Sequence, residues 1–331
     1  MNPILFLGAG ASKEFEIPLF SEMHESFRKD MRGKHHSSRL KKIRKELETV
    51  GFPLDIENYI SYARGRMKPR ETLLKMNPFV AYFVCRASNF RKDTYAKTFL
   101  DDIEDFIYST LLIQDPYKKE RIMHHYDKFF DYLERKYYGG KNFEVDIFTT
   151  NYDDSIELYC EERKLSFYDG FNEKSDGFSY FEPQLYRLND IRLYKLHGSV
   201  RLGIVKDNQD NTAVIHSKNW FGIGDPFKGN WSYAERMMVL GYDKDISAEP
   251  CFELLGLMKQ KLMETKTCIA IGYSFSNEPI LNIFNDVLRH RESDFELVVL
   301  CDSAEKIKRD KFLNDNRVRT IRTKFSGFGL I

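Results

Sequence analysis

The sequence predicts an α/β fold, a doubly wound parallel sheet that carries a large helical insertion. Three observations predict it. Short apolar runs at 3–7, 145–149, 267–271 and 296–301 read as strands buried in a parallel sheet. Amphipathic helical patterns at 251–263 and 279–290 alternate with the later runs. From about 38 to 138 the period stays helical.

The elements follow in order. Residues 3–7 form the first strand, Gly8 to Gly10 a tight turn, and a helix starts near Ser12. Phe99, Ile103, Phe106 and Ile107 share one helix face, and so do Tyr126, Phe129, Phe130, Leu133 and Tyr137. These stripes are core positions. Gly139-Gly140 closes the helical block. A strand at 145–149 precedes a helix after Asp153, and further strands fall at 192–196, 201–205 and 236–240. The aromatic, loop-rich stretch 166–190 resists assignment. Helix 251–263 carries Cys251, Leu254, Leu255, Met258 and Leu262 on one face, and helix 279–290 turns Ile280, Ile283, Phe284, Val287 and Leu288 inward. Strand 296–301 leads to Asp302 and a last helix, and Val318–Ile321 reads as a final strand. The domain reading is a discontinuous sheet domain, 1–30 with 140–331, interrupted by a helical insertion at 31–139.

Composition bounds the function. Among 331 residues, 42% are hydrophobic and 15% aromatic, enough for a substantial core. The net charge of +1 creates no global field toward nucleic acid or an anionic membrane. Locally, Arg28 to Lys45 holds nine Lys/Arg against Asp30, which reads as a solvated face or a docking surface. The five cysteines are scattered and odd in number, which argues against a disulfide framework and for a reducing cytoplasm. The start runs into Ile4–Leu7 without a basic region, so it reads as a strand and not a signal peptide. No apolar stretch reaches spanning length.

Four short motifs carry the chemistry. Gly8-Ala9-Gly10-Ala11-Ser12 lies between a strand and a helix, where backbone N–H groups can cradle a pyrophosphate; a ligand-free tight turn is the plain alternative. Thr149-Thr150-Asn151-Tyr152-Asp153 ends a strand, where such sheets bind ligands, although Asn and Asp also build Asx turns. Leu196-His197-Gly198-Ser199 ends another strand, and a histidine there can serve as a base near neutral pH or be structural. Gly272-Tyr273-Ser274 follows a fourth strand, and Asp302 follows a fifth, a place where acids hold ribose hydroxyls. A dehydrogenase-type GxGxxG fails, because Lys13 stands at the third glycine position.

Together, in this order, the motifs resemble the sirtuin family (silent information regulators), a Rossmann-like fold that cleaves the nicotinamide–ribose bond of NAD+. The family's GAG-x-S is matched by Gly8, Ala9, Gly10 and Ser12, and its GIPDFR loop by Ile17, Pro18 and Phe20. Glu16 replaces the glycine of that loop, Leu19 its aspartate and Ser21 its arginine. TQN-x-D becomes Thr150-Asn151-Tyr152-Asp153, the His-Gly pair is His197-Gly198, and the Gly-Thr-Ser loop becomes Gly272-Tyr273-Ser274. The resemblance implies that Asn151 orients the nicotinamide ribose or the attacking water, that His197 acts as base, and that Asp153 meets the carboxamide. It implies NAD+ contacts from Gly8, Ala9, Gly10, Ser12, Ile17, Phe20, Thr150, Gly272, Ser274 and, for the adenosine ribose, Asp302.

Sirtuins that deacylate proteins carry two CxxC pairs on a zinc module between the His-Gly and Gly-Thr-Ser motifs. Here that interval offers only Cys251, Cys268 and His216, so no zinc module is expected. His35-His36 and His124-His125 read as surface residues. This combination resembles the prokaryotic zinc-less NAD-hydrolases of antiphage defence. It implies NAD+ hydrolysis to nicotinamide and ADP-ribose in a cytoplasmic homo-oligomer, or with a partner such as a hexameric translocase-type ATPase, an Argonaute-like protein or a phage protein. Two other readings stay open: an NAD-dependent ADP-ribosyltransferase or deacylase, and a non-catalytic sensor of NAD or ADP-ribose.

Overall fold

The structure, a computed structural model, describes residues 2–30, 37–49, 51, 53–67, 94–139, 143–174, 178–207, 212–216, 231–238, 250–291 and 294–330. His35, His36 and Gly140, part of the basic stretch and residues 239–240 of a predicted strand lie outside them. The chain divides into two compact units: 1–17 with 111–238 and 246–331, and 18–110 with 239–245.

The larger unit is built on a parallel sheet. β1 (Ile4–Leu7) leads through a one-turn helix, α1 (Ala9–Ser12), and a 3₁₀ turn at 13–15 into the smaller unit. That unit holds α2 (Phe20–Asp30), α3 (Ser37–Thr49), α4 (Ile56–Met67) and nearly all of α5 (Thr94–Leu111). Its core is aromatic: Phe27 packs on Phe106 at 5.3 Å and on Phe99 at 6.1 Å between ring centres. Phe99, Ile103, Phe106 and Ile107 are all buried, as their spacing predicts.

The chain returns to the larger unit in α6 (Pro116–Leu133), capped by Asp115, whose side chain accepts the Tyr117 N–H. A π turn at 134–138 follows. It inserts one residue into the helical phase, so Tyr138 is buried and Tyr137, expected on the buried face, is half-buried. β2 (Val145–Thr149) and α7 (Ser155–Arg163) come next, then β3 (Phe167–Tyr168), β4 (Phe171–Glu173), β5 (Ser179–Phe181) and β6 (Ile191–Lys195). After β7 (Gly198–Asp207), β8 (Thr212–His216) and β9 (Trp231–Met238), the alternation resumes. It runs through α8 (Cys251–Glu264), β10 (Thr267–Ile271), α9 (Glu278–His290), β11 (Glu296–Leu300), α10 (Ala304–Phe312) and β12 (Val318–Ile321).

The main sheet has the order β12-β11-β10-β1-β2-β6-β3, and every pair in it is parallel. The fold is therefore the doubly wound α/β fold that the apolar runs predict. Two of the predicted strands depart from it. Residues 201–205 and the described part of 236–240 belong to a separate antiparallel sheet, β4-β5-β8-β7-β9. The reason is local: β6 ends at Lys195 and β7 starts at Gly198, which leaves no chain for a helical crossover.

From β1 the chain first builds outward through β2 and β6, then crosses to the other side of β1 to build β10, β11 and β12. The winding direction reverses between β1 and β10. At such a switch point the connecting loops diverge and leave a crevice beyond the carboxyl ends of the strands.

Candidate functional site

The Gly8 and Gly272 loops emerge side by side at that switch point. Gly8 N–H donates to the Ile271 carbonyl and Gly10 N–H to the Gly272 carbonyl, each at 2.9 Å. The backbones touch so closely that only glycine fits. A Cβ on Gly10 would sit 2.8 Å from the Gly272 oxygen, and one on Gly272 (φ +64°) would sit 2.1 Å from the Ala11 nitrogen. The glycines thus serve the packing of one loop on the other. The Gly8 and Gly10 N–H groups are engaged in holding it, so they are not poised toward a phosphate.

The helix behind this loop starts at Ala9 and ends at Ser12, where the sequence predicts its start. The α1 turn starts at Ala9, passes into the 3₁₀ turn and ends at Glu16, which adopts φ +60°. Arg121 pins that corner, with Nη1 2.7 Å from Glu16 Oε1 and Nη2 2.6 Å from the Glu14 carbonyl. Ile17 is buried just beyond it. Phe20 opens α2 in the smaller unit.

Asn151 follows β2, next to β1. The Thr149 hydroxyl bridges the two strand ends, donating to the Leu7 carbonyl at 2.9 Å and accepting the Asn151 N–H at 3.0 Å. Asn151 Nδ2 donates to the Gly8 carbonyl at 3.0 Å and to Ser12 Oγ at 2.9 Å. Ser12 Oγ donates in turn to Asp153 Oδ2 at 2.9 Å. A carbonyl can only accept, so Gly8 fixes which way the amide points. Asn151 Oδ1 is then left buried and without a hydrogen-bond partner among the described residues. That atom is an acceptor, suited to a hydroxyl or a water and unsuited to a phosphate.

Asp153 is 5% exposed and does two internal tasks: Oδ2 takes the Ser12 hydroxyl and Oδ1 the Ser155 N–H. A carboxylate has about four acceptor positions, so there is still capacity for a ligand amide. Thr150 N–H donates to the Leu7 carbonyl at 3.3 Å.

His197 lies one strand further along, in the turn between β6 and β7. Leu196 N–H donates to the Thr149 carbonyl at 2.9 Å, which ties that turn to the end of β2. Gly198 takes φ +85°, and a Cβ there would lie 2.0 Å from the Met237 oxygen. His197 is 4% exposed, with its ring centre 6.3 Å from that of Tyr152.

Beyond Gly272, Tyr273 and Phe275 are buried while Ser274 is exposed and its hydroxyl lies 3.0 Å from Ser276 Oγ. Phe275 holds φ +54°, unusual for a bulky residue, and packs on Phe284 and Phe312 at 5.2 and 5.0 Å. Asp302 is exposed just past the end of β11. The structure therefore brings Gly8, Ser12, Asn151 and Asp153 into one bonded cluster beside Gly272. His197 is joined to it through strand pairing, and Asp302 stands two strands away from β1.

A buried charge cluster behind these loops escaped the sequence reading. Lys195 Nζ lies 2.9 Å from Glu157 Oε1 and 2.5 Å from the Asp153 carbonyl. Arg201 pairs with Asp154 at 3.1 Å and with Glu161 at 2.5 Å. Burial raises the Asp154 pKa above its ordinary value, and the Arg201 guanidinium works against that rise. Among the described residues no group of three His, Cys, Asp or Glu could hold a metal ion, and no helix is long and apolar enough to cross a membrane.

Three of the solved structures that are similar to this chain share low identity with it. A Sir2 homolog–NAD complex is 14% identical with a TM-score of 0.45, covering 98% of this chain and 85% of that one. A Sir2 homologue mutant bound to ADP ribose is 15% identical with a TM-score of 0.42, covering 98% and 88%. A structure described under the mechanism and regulation of Sir2 enzymes is 12% identical with a TM-score of 0.43, covering 98% and 88%. No curated protein matches the sequence. A model of the SIR2-like domain matches residues 145–321, which takes in Asn151, His197, the Gly272 loop and strands β2, β6, β10, β11 and β12. That match covers more than half of the chain, which therefore belongs to the SIR2-like domain family.

Proposed function

We propose that this chain is an NAD+ hydrolase: NAD+ and water give nicotinamide, ADP-ribose and a proton. The observation that carries the reading is Asn151, whose two amide protons are engaged by Gly8 and Ser12 and whose buried Oδ1 waits for a donor at the switch point. An acceptor fixed in that orientation suits a ribose hydroxyl or the attacking water. His197 takes up the proton that the reaction releases. Nicotinamide leaves as a neutral molecule, so no strong general acid is required. Ala9, Ser12, Thr150, Gly272 and Ser274 would surround the pyrophosphate side, on a loop whose close packing Gly8 and Gly10 permit, with Ile17 toward the nicotinamide, Asp153 toward the carboxamide and Asp302 toward the adenosine ribose.

The biological reading that goes with it is antiphage defence, in which NAD+ is depleted on infection. Such an enzyme must be silent beforehand. A homo-oligomer, a hexameric translocase-type ATPase or an Argonaute-like protein would then be its regulator. The burial of His197 at 4% exposure suits an enzyme held closed until activated.

The test is chromatography of products after incubation of the purified protein with NAD+, beside Asn151→Ala and His197→Ala. Nicotinamide with free ADP-ribose from the unsubstituted protein only is the expected result. Nicotinamide without free ADP-ribose would mean transfer to a protein. Binding of NAD+ without turnover, in the presence of infected-cell extract as well, would leave the sensor reading. In cells, the NAD+ pool should collapse after infection only when Asn151 is intact.

A further inference from the structure

Lys195 and Glu157 form a nearly closed ion pair, their side chains 4% and 2% exposed. A buried pair of this kind contributes little net stability, because desolvation offsets most of the attraction. Its place in the chain is specific. Lys195 is the last residue of β6, two residues before His197, and it stands opposite Thr149 in the parallel register. Its Nζ donates to the Asp153 carbonyl, two residues beyond Asn151, as well as to Glu157. Glu157 Oε1 also accepts the Ser199 hydroxyl at 3.4 Å, two residues after His197. One ion pair therefore grips the Asn151 loop once and the His197 turn on both flanks.

We infer that Lys195 and Glu157 are positioning residues that set the Asn151 loop and the His197 turn at a fixed separation. The inference rests on the hydrolase reading for its kinetic consequence and on hydrogen bonds alone for its structural one. Neither residue touches the reacting atoms.

The experiment uses the full chain with Lys195→Met and Glu157→Leu combined, which removes both charges together and leaves no unpaired one. Steady-state NAD+ cleavage should show kcat lower by about 100-fold, the scale expected when reacting groups are misplaced by an ångström, with KM within about twofold. A merely structural pair would lower the melting temperature without this split. Amide hydrogen exchange should accelerate together at 151–154 and 196–199 while β2 and β6 stay protected. Wild-type kcat and wild-type exchange in the double variant would overturn the inference. Should the double variant not fold, Ser199→Ala cuts the Glu157 link alone: faster exchange confined to 196–199 with reduced kcat supports the inference, and unchanged values overturn it. Should the unsubstituted protein never cleave NAD+, the hydrolase reading falls, and the exchange measurement still decides the positioning role.

Discussion

Asn151 is constrained by chemistry and not only by shape. Its amide faces two acceptors, the Gly8 carbonyl and Ser12 Oγ, whose own proton goes to Asp153. Asn151→Asp keeps the shape and removes both donors, so a carboxylate oxygen would face a carbonyl oxygen. The expected loss is about 1–3 kcal/mol, the cost of leaving buried polar groups unpaired, read from urea unfolding and accompanied by loss of turnover. A stable, active Asn151→Asp variant would contradict the amide orientation described above. Glu16 poses the opposite question. It holds φ +60° where the sirtuin loop has glycine, at a strain of about 1–2 kcal/mol. Its ion pair with Arg121 is exposed enough to be worth at most about 1 kcal/mol, and glycine would add about 0.5–1 kcal/mol of chain entropy to be lost on folding. These terms nearly cancel, so Glu16→Gly should change unfolding stability by less than about 1 kcal/mol. A larger loss would show that the Arg121 contact matters more than its exposure suggests.

At the level of elements, the glycines sort by what surrounds them. Gly272→Ala drives a Cβ to 2.1 Å from the Ala11 backbone, and the backbone cannot yield as a flexible side chain can. Gly256 lies in the middle of α8, and none of the described residues comes within 4 Å of an added Cβ. Gly256→Ala should therefore stabilise by about 0.5–1 kcal/mol through helix propensity, whereas Gly272→Ala should lose more than about 3 kcal/mol as strain and overpacking combine. Thermal unfolding of the two single variants checks both signs. The same contrast explains what could be read beforehand. β2 and β10 run over the predicted residues because strands buried on both faces leave largely apolar runs; β12, an edge strand with only Val318 buried, also keeps its predicted bounds. The motif residues were visible because the strands announce their own ends. The second sheet was not, since nothing in 201–205 distinguishes an antiparallel strand from a parallel one. Nor was the Lys195–Glu157 pair: its members are separated by 38 residues, and an ion pair leaves no periodic trace in sequence. Tyr137 was misplaced by the π turn, which shifts the helical phase without any signal of composition.

For the whole molecule, each of the two units carries a histidine that resists protonation. His24, in the smaller unit, is 12% exposed in its side chain and lies 5.5 Å from the Tyr59 ring centre. Burial lowers its pKa below the ordinary 6.5, opposed by Glu25 and reinforced by Arg28 and Arg44. His125, on α6 in the larger unit, is half-buried and not the surface residue that the sequence suggests (His124 beside it is exposed), and it packs against Phe15 at 5.7 Å. Burial lowers its pKa as well, opposed by Glu14 and reinforced by His124, Arg121 and Lys128. For a group whose folded pKa is depressed, the unfolded chain binds the proton first. The linked stability is then present above 6.5 and is lost as pH falls through the folded pKa. Asp154 and Asp169 act in the opposite sense. Burial raises both above the ordinary 3.8, so their linked stability is present at low pH and is lost as pH rises through their folded pKa values. The neutral-to-mildly-acid window therefore belongs to the histidines. Calorimetric melting temperatures should fall from about pH 7.5 to 5.5, around the ordinary histidine pKa, and His24→Gln combined with His125→Gln should flatten that fall. An undiminished slope in the double variant would assign the acid sensitivity to other groups, and a rising melting temperature would mean that the buried aspartates dominate.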